Sequence, residues 1–345
     1  MSPDVDVLIA GGGPIGLASA IEARLLGLSV AVFEPRTGPI DKACGEGLMP
    51  GAVAALARLG VFPRGHVIEG ISYHQRAHHA EHRFRRGAGL GVRRTELHDA
   101  LTERCTELGV EWVRQRLDSY EQTSDDVVAG GVRASWLLGC DGLHSKTRRL
   151  AGLERQQTRP AGGSRRYGYR RHFELEPWSD LVEVHWGDEV EAYVTPVADT
   201  LVGVAILGPG GVDFDTAIAG IPALANRLSG ARPGSPLRAA GPLRQGSRRR
   251  TVGRVLLVGD AAGYVDALTG EGIRVGLAQA EAVVAAIHAG TPRAYERTWE
   301  RATRDFRTLT TGLVALAHSP LRNSIVPISG AVPRVFGAVV ERLAR

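Results

Sequence analysis

A glycine-rich turn near the start of the chain has the residue types that bind a phosphate group. Gly11, Gly13 and Gly16 satisfy the pattern G-x-G-x-x-G between a short apolar run and an Ala/Leu-rich segment. The first glycine permits a tight turn, the second lets backbone approach a pyrophosphate, and the third lets a helix pack close to a strand. In a chain with 44 glycines a chance turn is the alternative. Glu34, about 20 residues further on, could accept ribose hydroxyls, and this context favours a dinucleotide site.

Two later segments combine glycine with aspartate. Residues 139–148 begin Gly-Cys-Asp-Gly, and residues 258–263 read Val-Gly-Asp-Ala-Ala-Gly and lead to the turn at 269–273. Asp141 and Asp260 each have an ordinary alternative role, because aspartate is a preferred helix N-cap. Their joint occurrence, in this order along most of the chain, favours contacts with one ligand.

Together the three segments resemble the flavoprotein family typified by para-hydroxybenzoate hydroxylase and the geranylgeranyl reductases. The resemblance implies FAD as cofactor, with Asp260 at its ribitol or pyrophosphate and Arg94 at its phosphates. It also implies a shared flavin and nicotinamide contact at Asp141-Gly142, and N–H groups of the turn at 270–273 facing the flavin pyrimidine edge. NADPH or NADH would be the electron donor. The predicted cofactor contacts are Gly11, Gly13, Pro14, Ile15, Gly16, Glu34, Pro35, Arg36, Lys42, Cys44, Gly45, Arg94, Asp141, Gly142, Gly259, Asp260, Gly270, Glu271, Gly272 and Ile273.

Two branches of this family remain open. Residues 41–48 read Asp-Lys-Ala-Cys-Gly-Glu-Gly-Leu and resemble the Cys-Gly-rich loop of the geranylgeranyl-reductase branch, as does Gly-Glu-Gly-Ile at 270–273. A hydroxylase more often has proline where this chain has Ala267. The halogenase signature Trp-x-Trp-x-Ile-Pro is absent from the sequence, which disfavours halogenation. Cys44 has no Cys-x-x-Cys partner, so a packed side chain is its ordinary interpretation, with proximity to the flavin as the alternative.

The substrate side is predicted on strand-like segments in the middle of the chain. Alternation with a period of two puts Glu183 and His185 on one face of one segment, and Glu191, Tyr193 and Thr195 on one face of the next. A hydroxylase must exclude water, hold an aromatic ring near the flavin and help remove a phenol proton. By rough alignment to the family's substrate sheet, we predict His185 and Tyr193 as catalytic residues that contact substrate and handle the proton. Ordinary cross-strand pairs are the alternative.

Hydrophobic periodicity predicts the elements that position these residues. The chain opens with strand, helix and strand, which form one βαβ unit, at residues 6–10, 15–26 and 29–33. Helical periodicity returns at 95–108 and up to 287, and buried strands are predicted at 134–138 and 255–258. Alternating or β-branched segments with Pro and Gly breaks predict an antiparallel sheet from residues 71–84, 167–175, 181–186, 192–197 and 201–207.

The predicted fold class is therefore α/β, with a Rossmann-like FAD-binding domain, an inserted antiparallel substrate sheet and C-terminal helices. The first and last α/β units must share one sheet, so the domains are discontinuous. The FAD-binding domain is assigned to residues 1–65, 90–155 and 246–290, and the substrate domain to residues 66–89 and 156–245. Residues 291–345 form a C-terminal helical segment, interrupted by Pro320, Pro327 and Pro333.

Composition excludes several classes of protein. The net charge of +5 is carried almost wholly by scattered arginines, because Lys42 and Lys146 are the only lysines, so a nucleic-acid surface is not predicted. Three irregularly spaced cysteines give neither a disulfide framework nor a metal site and suit a reducing compartment. There is no secretory signal and no apolar run of about 18 residues, so we predict a cytoplasmic protein without an integral membrane segment. The apolar C-terminal region leaves a peripheral membrane contact open.

These observations predict an FAD-dependent monooxygenase that hydroxylates a hydrophobic phenolic or polyketide-type secondary metabolite with NAD(P)H and O2. The first alternative is an FAD-dependent reductase of isoprenoid double bonds, and the second is a flavin-binding protein without catalytic activity. The specific substrate, the regiochemistry, the choice of NADH or NADPH and the oligomeric state are not readable from the sequence.

Overall fold

A computed structural model describes residues 3–155 and 165–345. Its strands, in chain order, are β1 (Val5–Ala10), β2 (Val30–Phe33), β3 (Gly47–Leu48), β4 (His66–Ile68), β5 (Gly70–Gln75), β6 (His78–Arg83), β7 (Gly89–Gly91), β8 (Glu111–Val113), β9 (Glu121–Gln122), β10 (Val127–Ala129), β11 (Val132–Gly139), β12 (Arg166–Glu174), β13 (Leu181–Trp186), β14 (Glu191–Ala198), β15 (Leu201–Pro209), β16 (Arg232–Pro233), β17 (Arg238–Ala240), β18 (Gln245–Gly246), β19 (Thr251–Val252), β20 (Val255–Leu257) and β21 (Gly263–Tyr264). Its helices are α1 (Pro14–Leu25), α2 (Pro50–Arg58), α3 (Arg94–Glu107), α4 (Lys146–Leu150), α5 (Phe214–Ala219), α6 (Pro222–Arg227), α7 (Gly272–His288), α8 (Ala294–Ala317), α9 (Ile325–Ala331) and α10 (Pro333–Leu343), with 3₁₀ turns at Gly259–Ala262 and Pro320–Ser324.

The first sheet joins the two ends of the sequence. Its strand order is β19-β20-β11-β1-β2-β8, and β20, β11, β1, β2 and β8 run parallel to one another. Strands β1, β2 and β20 are apolar and almost wholly buried because helices and loops cover both faces of the sheet, as parallel sheets require. The predicted α/β fold class, with its late strand in the same sheet as the first βαβ unit, is confirmed.

The second sheet is the predicted inserted sheet. Its order is β16-β12-β15-β14-β13-β5-β6, and its long neighbours are antiparallel except for β13 beside β5. Helices α5 and α6 pack on one face, which we call the outer face, through residues such as Phe214 and Leu224. The opposite, inner face packs against α8 and α9 through Trp186, Ala317 and Val326.

The predicted domain boundaries stay a prediction, although the strands show how the segments combine. Strands β5 and β6, from the early segment 66–89, lie in the same sheet as β12 to β15. Strands β4 and β7, at the two ends of that segment, instead pair in a small sheet with β3. Residues 156–164 of the second assigned segment lie outside the described residues.

The three C-terminal prolines do not act alike. Pro320 opens the second 3₁₀ turn and Pro333 is the first residue of α10, positions where the missing N–H breaks no helical hydrogen bond. Pro327 lies within the first turn of α9 and does not interrupt it, for the same reason. The predicted break at Pro327 is therefore wrong, and helices α8 and α9 end instead at Ala317 and Ala331.

Candidate functional site

The glycine turn between β1 and α1 is shaped by the lack of side chains. Gly11 has φ +104°, and a Cβ there would lie 2.8 Å from the Cys140 carbonyl oxygen. A Cβ on Gly16 would lie 1.9 Å from the Gly11 carbonyl oxygen, which no side chain can satisfy. A Cβ on Gly13 would meet nothing within 4 Å. The turn thus packs tightly on one side and, at Gly13, leaves backbone facing open space at the N-terminus of α1, where phosphate would bind.

Glu34 lies buried at the end of β2, beside this turn. Its Oε2 accepts the Gly12 N–H at 3.1 Å, and its Oε1 accepts from the Arg36 guanidinium Nε at 2.7 Å. Burial favours the neutral acid, but the hydrogen bonds and charge of Arg36 hold the pKa of Glu34 below its usual value. The ionised carboxylate has lone pairs left to accept ribose hydroxyls, and Arg36, whose side chain is half exposed, lies at the rim. Pro35 connects the two.

Two residues that the sequence interpretation missed fix the glycine turns from behind. His98, buried in α3, contacts the Gly12 carbonyl oxygen through Nε2 at 2.9 Å. Gln279, buried in α7, accepts the Gly259 N–H through Oε1 at 2.7 Å. In the sequence, the only indication of His98 or Gln279 is a single polar residue at a buried position of a helical pattern.

Asp141 organises its own turn. Its Oδ2 accepts the Thr147 N–H at 2.8 Å, and its Oδ1 accepts the Ser145 hydroxyl at 2.5 Å, while Ser145 caps α4. The N-cap residue of α4 is thus Ser145 and not Asp141, although Asp141 accepts one N–H of the first helical turn. Gly142, at φ +79°, brings backbone close to Lys42, whose Nζ would lie 3.8 Å from a Cβ there.

Asp260, Lys42 and Arg94 form a group of charges without close partners. Among the described residues, none of the three side chains has an ion pair within 4.0 Å, and the Arg94 Nε is buried without a hydrogen bond. Burial raises the pKa of Asp260 although Arg94, Lys42 and Arg148 oppose it. Burial, with the charges of Arg36 and Arg94, lowers the pKa of Lys42. A ligand with anionic phosphates and hydroxyls would satisfy all three groups, so the residues present fit FAD.

The turn before α7 has the predicted open shape. Gly270 has φ +70°, and a Cβ there would meet nothing within 4 Å. Gly272 is the first residue of α7, followed by Ile273, so free N–H groups of the helix start face this opening. Glu271 is buried against Arg274, and burial raises the pKa of its carboxyl to about 7 despite that arginine. This carboxyl can hold a proton close to neutral pH.

The Cys-Gly-rich loop at residues 41–46 crosses between the two sheets. Cys44 is half-buried, is not disulfide-bonded, and accepts the Glu46 N–H at 3.4 Å from Sγ. The Gly45 carbonyl oxygen accepts the Thr195 hydroxyl at 2.8 Å, which ties the loop to the inner face of the second sheet. The loop therefore links the unpaired charge of Lys42 to the substrate sheet, and we call the region between the glycine turns, these charges and that sheet the cofactor cleft.

His185 and Tyr193 lie on opposite faces of the second sheet. The strand register pairs Tyr193 with Val184, and His185 with Ala192, and directly paired residues point to the same side. Tyr193 is on the inner face and donates its hydroxyl proton to the Leu268 carbonyl oxygen at 2.7 Å. His185 is on the outer face, where it stacks on His74 at 4.8 Å between ring centroids. The two cannot act on one substrate together.

The inner face around Tyr193 combines apolar groups with buried ion pairs. Tyr73 packs on Trp186 at 5.7 Å and on Phe336 of α10 at 5.0 Å between ring centroids. Beside them Glu191, fully buried, contacts Arg166 at 2.6 Å and Arg322, from the second 3₁₀ turn, at 2.5 Å. Arg166 also reaches Asp266 at 3.0 Å. This network, which the sequence interpretation missed, joins the sheet, the C-terminal segment and the loop before Gly270.

Two further properties of the described residues bear on other functions. No group of three or more His, Cys, Asp or Glu side chains within them could hold a metal ion. Of the helices in the described ranges, none is individually long and apolar enough to span a membrane. The stretches Pro320–Ala331 and Pro333–Leu343 pass that test only as a pair, bent by 101°.

The fold and the cleft define a dinucleotide-binding protein of the α/β class, and comparisons with known proteins specify the dinucleotide. Residues 4–168 match the model of the FAD binding domain family. This match supports the resemblance of the motifs to those of FAD-binding flavoproteins, and the cofactor is FAD, as predicted.

Three relatives differ in the activities that their names carry. The chain is 28% identical over 299 residues to dialkyldecalin synthase from Streptomyces rugosporus, covering 79% of this chain and 63% of the relative. It is 32% identical over 166 residues to rifampicin monooxygenase from Streptomyces venezuelae, covering 43% and 34%. It is 48% identical over 61 residues to menaquinone reductase from Mycolicibacterium smegmatis, covering 18% and 15%. The chain thus spans less than two thirds of the length of each relative.

Proposed function

We propose that this protein is an FAD-dependent oxidoreductase and, within that class, a monooxygenase. It would hydroxylate a hydrophobic phenolic or polyketide-type secondary metabolite with NADPH or NADH and O2. The observation that carries the proposal is the cleft in which the unpaired charges of Lys42, Arg94 and Asp260 lie next to the inner face of the second sheet. The similarity to a rifampicin monooxygenase supports oxygenation as the reaction.

The chain's own residues have separable roles in this proposal. The N–H groups at Gly13 and at the start of α1 bind the anionic phosphates, and Lys42 and Arg94 add positive charge. Asp260 accepts hydroxyl groups, and the start of α7 after Gly270 orients the ring system through its N–H groups. When bound, FAD supplies electron transfer from the nicotinamide donor and the activation of oxygen.

The substrate would lie against the inner face. Val184, Trp186, Leu207 and Leu268 are all buried there and exclude water. Burial keeps the pKa of Tyr193 well above its usual value, so its phenol stays protonated and can orient a partner but not act as a base. We therefore propose that Tyr193 positions the loop at Leu268. His185 is not assigned to the substrate site, because it lies on the outer face.

Anaerobic reduction of the purified flavoprotein tests the proposal. Flavin bleaching by NADPH or NADH is followed with and without a panel of phenols, and turnover under ¹⁸O₂ is analysed by mass spectrometry. A monooxygenase is expected to bleach faster with one phenol and to insert one labelled oxygen atom. Product without label would overturn the assignment.

A reductase of carbon–carbon double bonds is the second candidate. The 48% identity to a menaquinone reductase favours it, although the match covers only 18% of this chain. The same experiment separates the two, since a reductase adds two hydrogens and no oxygen, and its flavin would bleach without a phenol. A flavin that neither nicotinamide can bleach would point to another electron donor or to a flavin-binding protein without catalytic activity.

We also propose a peripheral membrane contact through the C-terminal helices. Ile328 on α9, Val332 at the bend, and Val335 and Val339 on α10 are 39–59% exposed. No acidic residue occurs between residues 306 and 340, whereas arginines do, which suits an anionic lipid surface. Sedimentation with phosphatidylcholine vesicles, with and without phosphatidylglycerol, tests this. Val335→Asp should abolish binding and Leu237→Asp, at an exposed site elsewhere, should not.

A further inference from the structure

Glu46 has a backbone conformation that glycine favours. Its φ is +62°, and Arg76 is the only other non-glycine residue in the described ranges with a positive φ. Arg76 lies in the turn between β5 and β6, with its side chain 73% exposed. The Glu46 side chain is 1% exposed. Buried non-glycine residues persist in this region only where surrounding contacts hold them there.

The Glu46 carboxylate makes those contacts, to two distant elements. Oε1 accepts the N–H of Arg94, the first residue of α3, at 2.8 Å. Oε2 lies 2.6 Å from Nε2 of His172 in β12, and the Arg170 Nε lies 3.7 Å from Oε1. A Cβ on Gly203, in the neighbouring strand β15, would lie 3.2 Å from Oε2, so glycine at that point leaves room for the carboxylate.

The same loop is fastened to the substrate sheet at two other points. Thr195 binds the Gly45 carbonyl oxygen, and Arg170 contacts Asp41 and the Lys42 carbonyl oxygen, the latter at 3.2 Å. The loop at residues 41–46 therefore carries Lys42 into the cofactor cleft, while Asp41 and Gly45 of the same loop contact the inner face. Glu46 is the residue that joins this loop, the start of α3 and β12.

We propose that Glu46 is a positioning residue, which locks the loop at 41–46 and the start of α3 in the geometry that FAD requires. The substrate sheet is thereby coupled to the cofactor cleft through His172. Glycine would adopt the backbone conformation without strain but has no carboxylate, which is the physical reason for a glutamate at this point. The inference rests on the proposed function only in placing FAD between Lys42, Arg94 and Asp260.

Glu46→Gly tests this, with Arg76→Gly as the matched control. Both substitutions relieve a positive φ, but only the first removes the contacts to Arg94 and His172. One readout is the rate at which a thiol reagent modifies Cys44. Cys105 and Cys140 are buried with raised pKa values and should not react. The other readout is the dissociation constant of FAD, from quenching of its fluorescence.

We expect Glu46→Gly to raise both the Cys44 modification rate and the FAD dissociation constant about tenfold, the loss that follows from one hydrogen bond to a charged group. Arg76→Gly should change neither. His172→Gln keeps the test valid if Glu46→Gly fails to fold. If both single variants fold, the double variant should lose no more FAD affinity than the single variant with the larger loss.

Two results would overturn the proposal. One is an unchanged Cys44 modification rate in Glu46→Gly, and the other is a raised rate with unchanged FAD affinity. Neither readout involves turnover, so failure of the monooxygenase assignment, seen as unlabelled product from the wild-type protein, is a separate result.

Discussion

The cofactor end of the first sheet and the inner face of the second sheet both bury polar groups, but they satisfy them differently. Near the glycine turns, the charges of Lys42, Arg94 and Asp260 have no ion-pair partner within 4.0 Å among the described residues, and the Arg94 Nε is buried without a hydrogen bond. On the inner face, Glu191 is fully buried yet flanked by two arginines, Arg166 and Arg322. The charges of the first region lack a charged partner among the described residues, whereas Glu191 on the inner face has two.

This difference predicts how each region responds to substitution. A buried charge that has lost its partner destabilises the fold, so changes on the inner face should act mainly on stability. Groups whose partner is a bound ligand contribute little to the stability of the protein alone. Changes in the cleft should therefore act mainly on FAD binding. Substitutions that separate stability from FAD affinity thus test the comparison directly.

The largest effect is expected for Glu191→Ala. It leaves Arg166 and Arg322 buried with less compensating charge, and should lower the free energy of unfolding by about 3–5 kcal/mol. Urea denaturation followed by circular dichroism measures this. Asp188→Asn, which weakens the exposed pair with Arg76, should change it by about 0.5 kcal/mol or less. Equal losses in the two variants would mean that the inner face is not held by its ion pairs.

A pair of glycine substitutions separates packing from ligand access. Gly16→Ala places a Cβ 1.9 Å from the Gly11 carbonyl oxygen and should cost about 3 kcal/mol or more of stability together with FAD binding. Gly13→Ala meets nothing within 4 Å and should leave stability within about 0.5 kcal/mol. Its FAD affinity should still fall, because the methyl group occupies the open space. An FAD affinity equal to that of wild type in Gly13→Ala would mean that the phosphate does not bind at this turn.

The pH dependence of stability tests the buried carboxyl of Glu271. Because its pKa in the folded protein is about 7, against an ordinary 4.5, the folded state binds more protons between these values. The free energy of unfolding therefore falls as pH rises from 4.5 to 7. Glu271→Gln has no such loss, so its stability relative to wild type should improve by on the order of 1–3 kcal/mol between pH 4.5 and pH 8. Parallel stability curves for the two proteins would contradict this.

A small effect on stability is also expected for Asp260→Asn. Burial raises the pKa of this carboxyl, so the neutral amide should leave unfolding within about 1 kcal/mol of wild type in the absence of FAD. FAD affinity should fall, since an amide is a weaker acceptor than a carboxylate. Thermal unfolding with and without added FAD measures both quantities. A large loss of stability in the absence of FAD would mean that Asp260, like the buried charges of the inner face, has its partners within the chain.

Local sequence patterns predicted the glycine turn of the first βαβ unit for a physical reason. Gly16 is required by a contact within one βαβ unit, because a Cβ there would meet the Gly11 carbonyl oxygen, so the spacing of these two glycines indicates the turn. Period-two alternation likewise placed Glu191 and Tyr193 on one face, since both lie in β14. The relation between two strands is different. That Tyr193 and His185 face opposite ways depends on the register of β14 against β13, which neither strand's own pattern determines.

The sequence by itself determined the α/β class, the glycine turn and the FAD cofactor, because each of the motifs behind them is made of residues close together in the chain. Only the tertiary structure decided which buried charges are paired. Glu46 and His172 are 126 residues apart, and Glu191 and Arg322 meet across the second sheet and the C-terminal segment. Such pairs form where separate elements pack, and a single chain read in order carries no local signal of them.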